Sequence, residues 1–110
     1  MNDSILNTIK HMIGPDEGYD YFDTDLIVHI NSVLFILNQL GVGPKKPFHI
    51  TGDSETWSDF IDSDNFEIVK SYIYAKVKLV FDPPQSGTVM QALKDIISEF
   101  EWRANVATEE

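Results

Sequence analysis

One stretch constrains this chain more than any other: Phe66 to Phe81 reads as a helix with apolar residues on two sides. Phe66, Val69, Ile73, Val77 and Val80 follow the three-to-four spacing of one helical face, and Ile68, Tyr72, Ala75 and Leu79 make a second stripe about 120° or more away. Glu67, Ser71 and Lys78 leave only a narrow polar strip between them. A helix with so little polar surface has to be covered on both sides, either by its neighbours at the centre of a bundle or by another subunit. Asp64 followed by Glu67 has the capping-box pattern for its start. Asp82-Pro83-Pro84 ends it, because the residue before a proline is driven out of the helical region.

Three further helices can provide cover. Asp3 or Ser4 caps a first one with Ile5, Leu6, Ile9, Met12 and Ile13 on one side, stopped by Gly14-Pro15. Asp23 or Thr24 caps a second that runs to Leu40, with Asp25 near the positive end of the helix dipole and Gly41 as its stop. At about 100° per residue, Leu26, Ile27, Ile30, Val33, Leu34, Leu37 and Leu40 share its broad apolar face. Ser86 or Thr88 caps a last helix that turns Val89, Leu93, Ile96, Ile97, Phe100 and Ala104 inward, with a short fraying tail after Asn105. Between the second and third helices, 41–63 forms a long, partly irregular connection. In it Phe48-His49-Ile50-Thr51 alternates like a short strand, with a two-stranded hairpin as one reading, and Thr56 to Ile61 makes one helical turn that lays Trp57 and Phe60 on the core. The expected fold is all-α: a small bundle of about four helices in a single domain, 1–110, without internal repeats or linkers.

Some apolar residues do not fit such a bundle. Val28 and Phe35 fall on the polar side of the second helix, and Trp102 lies about 140° from the inward stripe of the last one. Together with the second stripe of the third helix, this is more apolar surface than a lone monomer covers, so Val28, Phe35, Tyr72, Leu79 and Trp102 are candidate subunit contacts. The competing reading is that the 41–63 connection folds back over part of this surface.

Charge removes several function classes. Eight Lys and Arg stand against eighteen Asp and Glu, a formal charge of −10, which argues against gripping nucleic-acid phosphates or anionic lipid. A 43% apolar share is enough to fold despite this. With no Cys there is neither a disulfide framework nor a thiol nucleophile. The start of the chain lacks signal-peptide features and the longest apolar stretch, Leu26 to Leu37, is too short to cross a bilayer, so an intracellular protein is expected.

Candidate chemistry is sparse. His11, His29 and His49 lie on three different elements without metal-ligand spacing. Asp53 to Asp64 places oxygens at calcium-loop intervals, but Trp57 holds the fifth position, Ser58 the place of the sharp-turn glycine, and Asp64 the place of the bidentate Glu. Gly41-Val42-Gly43-Pro44 follows a helix, whereas phosphate loops follow a strand. Glu99 and Arg103 are an ordinary i, i+4 surface pair. No cofactor or metal is expected, and no nucleophile, base and orienting group can be assembled into an enzyme.

Several segments nonetheless carry a resemblance. Phe22-Asp23-Thr24-Asp25 leading through His29-Ile30-Asn31-Ser32-Val33 to Leu37-Asn38-Gln39-Leu40-Gly41-Val42-Gly43 resembles the phage head-tail connector (adaptor) family of tailed phages and prophages of Gram-positive bacteria. Thr56-Trp57-Ser58-Asp59-Phe60, the run from Val69 to Pro84 and the closing Glu101-Trp102-Arg103-Ala104-Asn105-Val106 are similar to it as well, so the resemblance spans nearly the whole chain. It implies a structural virion protein at the head-tail interface, made in the host bacterial cytoplasm. Such a subunit would assemble with itself as a ring under the portal protein, contact a tail-side stopper or tail-completion protein, and continue a channel that DNA passes without specific binding. No membrane and no enzyme activity are implied. Carried onto this sequence, the resemblance marks Trp102 and Arg103 as candidate portal contacts and Trp57 and Phe60 as loop anchors, the latter pair being either core or contact residues.

An alternative function is an acidic DNA mimic that occupies the site of a DNA-binding protein. Its acids would line exposed faces, whereas here they gather in 16–25 and 53–67, around caps and loops.

Overall fold

The computed structural model describes residues 2–14, 22–81 and 83–109, with side chains of the last helix described as far as Asn105. Among these residues five helices follow in order: α1 (Ile5–Ile13), α2 (Asp23–Gln39), the single turn α3 (Trp57–Phe60), α4 (Phe66–Phe81) and α5 (Gly87–Glu109). The architecture is all-α, as the periodicity indicates. Pro15, most of the acidic run 16–25 and Asp82 fall outside the described residues.

Helix boundaries follow local hydrogen bonding. Ser4, not Asp3, caps α1 by accepting from the Asn7 N–H at 3.2 Å, and Gly14, at φ 109°, closes it by donating to the Lys10 carbonyl. Neither Asp23 nor Thr24 caps α2; the cap is Phe22, without a side-chain bond. The Asp23 carboxylate is drawn away by Lys10, whose Nζ lies 2.9 Å from Oδ1 and is the partner of that otherwise unbonded buried oxygen. The expected box at Asp64 and Glu67 is displaced too. Asp62 Oδ1 accepts from Asn65 N–H, α4 begins at Phe66, and Glu67 pairs instead with Lys70 at 3.1 Å. Ser86 caps α5, accepting from Val89 N–H at 3.3 Å. The tail expected to fray stays helical to Glu109.

No strand exists among the described residues, so the hairpin reading of 48–51 fails. Its physical reason is Asn31 on α2: Asn31 Oδ1 accepts from Ile50 N–H at 2.7 Å and Asn31 Nδ2 donates to the Ile50 carbonyl at 3.0 Å. Both backbone groups that a partner strand would take are held by one side chain. Among the described residues the single extended pairing is an isolated antiparallel bridge between Ser4 and Thr56.

α4 is the common partner of α1, α2 and α5. Val69, Ile73 and Val77 are buried in the cluster that includes Ile5, Ile9, Leu26, Ile30, Leu34 and Leu37. The middle of its second stripe, Tyr72 and Ala75, is buried within the chain, where the Tyr72 ring stacks on Phe100 of α5 with centroids 4.3 Å apart; Ile68 stays 43% exposed. Fully burying each such side chain contributes roughly 1.5–3 kcal/mol, which is why the most apolar helix takes the middle. The body measures 43 × 35 × 21 Å, so its thin dimension is about two helix diameters.

Candidate interaction surface

The connection between α2 and α4 is pinned at Trp57. Its indole N–H donates to Thr8 Oγ1 at 3.0 Å and its ring meets Phe66 edge-on, while the Trp57 N–H donates to the Asp3 carbonyl and Ile5 N–H to that of Glu55. Phe60, one turn on, packs against Phe48 with centroids 5.2 Å apart. Both anchors are buried, so of the two readings left open by the sequence they take the core one. The Glu55 carboxylate finishes the loop. Burial pushes its pKa up, but hydrogen bonds from the backbone and hydroxyl of Thr51, and from backbone N–H groups of Glu55 and Gly52, outweigh this and hold it below the ordinary value. The carboxylates of the calcium-like spacing are likewise engaged locally, Asp59 with the Thr56 N–H and hydroxyl and Asp62 with Asn65.

This connection does not cover the outer side of α2. It is fastened to the helix flank by Asn31 and by Asn38, whose Nδ2 donates at 3.3 Å toward the carbonyls of Pro44 and Lys45. Val28 and Phe35, seven residues apart, remain more than half exposed, with Ser32 between them bonded back to the Val28 carbonyl. α2 contains no Lys or Arg.

On the other side of the molecule, a polar contact orients α5. Tyr72 OH donates to Glu101 Oε2 at 2.7 Å, and Lys76 Nζ lies 3.7 Å from the same oxygen. Burial, then the hydrogen bond to the Glu101 carboxylate and its charge, push the Tyr72 pKa far above its ordinary 10.0, so the phenol stays a donor. With Glu101 turned toward α4, the next residue is rotated about 100° away. Trp102 is accordingly 67% exposed, the highest value among the exposed large apolar residues. Arg103 lies on the surface, its Nη2 bonded to Glu99 Oε1 at 2.7 Å.

The candidate residues therefore divide. Val28, Phe35, Trp102 and Arg103 are exposed, Leu79 is half-buried, and Tyr72 is fully buried. Tyr72 is thus not presented on the surface; it is taken up by Phe100 and Glu101 of α5, while Ile68 of the same stripe stays exposed. Two residues expected to face inward, Val89 and Ile96, are instead more than 40% exposed. They flank the buried Leu93 and Phe100 on a helix that touches α4 along a narrow line.

Sequence reasoning missed an open cleft of about 800 Å³ between the Gly41–Pro44 turn, α3, the start of α4 and the far half of α5. Its apolar lining includes Val42, Phe60, Ile61, Ile68 and Ala104, with Asp59, Asp62 and Arg103 among its polar groups. Gly43 shapes the wall: its φ is +89°, and a Cβ there would stand 2.5 Å from Phe60 Cε1. The one sequence signal was the Gly41-Val42-Gly43-Pro44 turn, which reveals a bend but not what packs against it.

The sequence model of a family described as phage connector protein matches residues 5–110. No curated protein and no solved structure matches the chain.

Proposed function

The chain belongs to the phage connector protein family, and from that premise we propose that it is a non-enzymatic structural subunit of a virion head-tail junction, assembling as a ring under the portal and continuing the channel for DNA. The family match over nearly all of the chain carries this reading. The exposed apolar residues support it: Val28 and Phe35 on α2 and Trp102 on α5 lie on different helices, and a closed ring needs two different faces that meet head to tail. In this reading α5 carries Trp102 and Arg103 to the portal, and a tail-side stopper or completion protein docks on the opposite rim.

The net charge of −10 suits a wall past which a polyanion slides, since acids facing the lumen repel phosphate. The decisive experiment is electron microscopy of the purified chain mixed with portal rings, alongside light scattering of each alone. A ring of this chain stacked on the portal is the expected result. A chain that stays monomeric and unbound at high portal concentration overturns the reading.

A further inference from the structure

We propose that the cleft bounded by α3, α4 and α5 is a docking groove for a basic amphipathic helix of another protein. This goes beyond the ring reading and does not depend on it. The floor is apolar and open: Ile68 is 43% exposed and Val42, Ile61 and Ala104 are half-buried beside the buried Phe60 and Phe100. Apolar anchors one and two turns apart on an incoming helix fit such a floor.

The rim decides the charge of that helix. From Asp53 to Glu67 the chain has six acids and no base. Asp59 and Asp62 line the cleft itself and are exposed, as is Asp64 beside them. The cation of the lining, Arg103, already pairs with Glu99 at 2.7 Å, and Lys70 on the first turns of α4 pairs with Glu67 at 3.1 Å. Lys45 and Lys46 follow the lining Pro44, but among the residues that line the cleft itself the unbalanced charge is negative, Asp59 and Asp62 against an Arg103 that is already paired, and it selects Lys or Arg flanking the apolar anchors.

The same charge disfavours a second copy of this chain as the occupant. The outer face of α2 brings Asp25 and no Lys or Arg, and the surface around Trp102 brings Asp95 and Glu99 together with an Arg103 that is already paired. Either one would set acid against acid at the rim.

The test uses the purified full chain and a fluorescently labelled amphipathic helical peptide of Leu, Ala and Lys, followed by anisotropy, with a Leu, Ala and Glu peptide as the reverse-charge control. The Lys peptide binds and weakens steeply with added salt, while the Glu peptide does not bind. Ile68→Asp weakens the Lys peptide by about tenfold or more. Asp62→Asn with Asp64→Asn weakens it less and flattens the salt dependence, and Val80→Asp, at the other end of α4, leaves it unchanged. Should the double variant unfold, the salt dependence of the unaltered chain and the contrast of Ile68 with Val80 still decide. Equal binding of both peptides, equal loss with Ile68→Asp and Val80→Asp, or self-association abolished by Ile68→Asp overturns the proposal. The peptide assay needs neither portal nor ring, so its failure leaves the connector reading standing and its success does not prove that reading.

Discussion

The two tryptophans of this chain sit in opposite circumstances. Trp57 has no exposed surface, donates its indole N–H to Thr8, and has backbone bonds on either side that tie the first residues to the middle of the sequence. Trp102 is two-thirds exposed on a helix whose inward neighbour, Glu101, holds the polar contact instead. The same residue type thus serves cohesion in one region and presentation in the other. What separates them is the partners that the rest of the chain brings, not local sequence.

Substitutions sharpen that contrast, beginning with the largest effect. Trp57→Ala removes a fully buried ring and its hydrogen bond to Thr8, and should cost about 3–5 kcal/mol in urea unfolding; a loss below about 1 kcal/mol would remove Trp57 from the core. Gly43→Ala comes next, at about 1–3 kcal/mol in the same assay, because the new methyl meets the Phe60 ring in a backbone region L side chains rarely adopt. It tests whether the buried region extends as far as the cleft wall.

Tyr72→Phe addresses the seam between the two regions. Losing the bond to Glu101 should cost about 1 kcal/mol near neutral pH. The folded pKa of Tyr72 is raised, so its stabilising contribution is fully present below the unfolded value of about 10 and disappears as pH climbs above it. Thermal melts of the variant should therefore lack part of the alkaline decline. Glu55 has the opposite sign: its pKa is lowered, so its contribution is present above the ordinary 4.5 and is lost as pH falls through the folded value. Glu55→Gln should flatten the acid limb of the same melts. Trp102→Ala closes the series with a change in stability within about 0.5 kcal/mol. Cosedimentation with portal rings, by contrast, should be lost; retention would assign that contact elsewhere.

The helices were legible because burial imposes a period: Leu26, Ile30, Val33, Leu34 and Leu37 all landed inside, as their spacing requires. The two stripes of α4 were legible as well, but not their partners. A second apolar side fits another helix of the same chain as well as a neighbouring subunit, and only the stack of Tyr72 on Phe100 decides for the first. Caps slipped by a residue or two where other groups competed, the distant Lys10 for Asp23 and the nearby Lys70 for Glu67. The strand-like alternation at 48–51 misled because an asparagine on another helix supplied its hydrogen bonds. Val28, Phe35 and Trp102 stood out because they break the period, while the cleft gave no periodic signal, being assembled from the 41–44 turn, residues between 58 and 69, and the far half of α5.

The pairing of Ser4 with Thr56 and of Thr8 with Trp57, the latter 49 residues apart, also sets an order of events during synthesis. α1 leaves the ribosome before Thr56 and Trp57, which are made about fifty residues later, and closing so long a loop carries an entropic cost. Until α3 emerges, α1 has only α2 to pack against, with Lys10 paired to Asp23. α1 is therefore made before the groups that fasten it, and a chain cut short before Trp57 leaves α1 without those bonds.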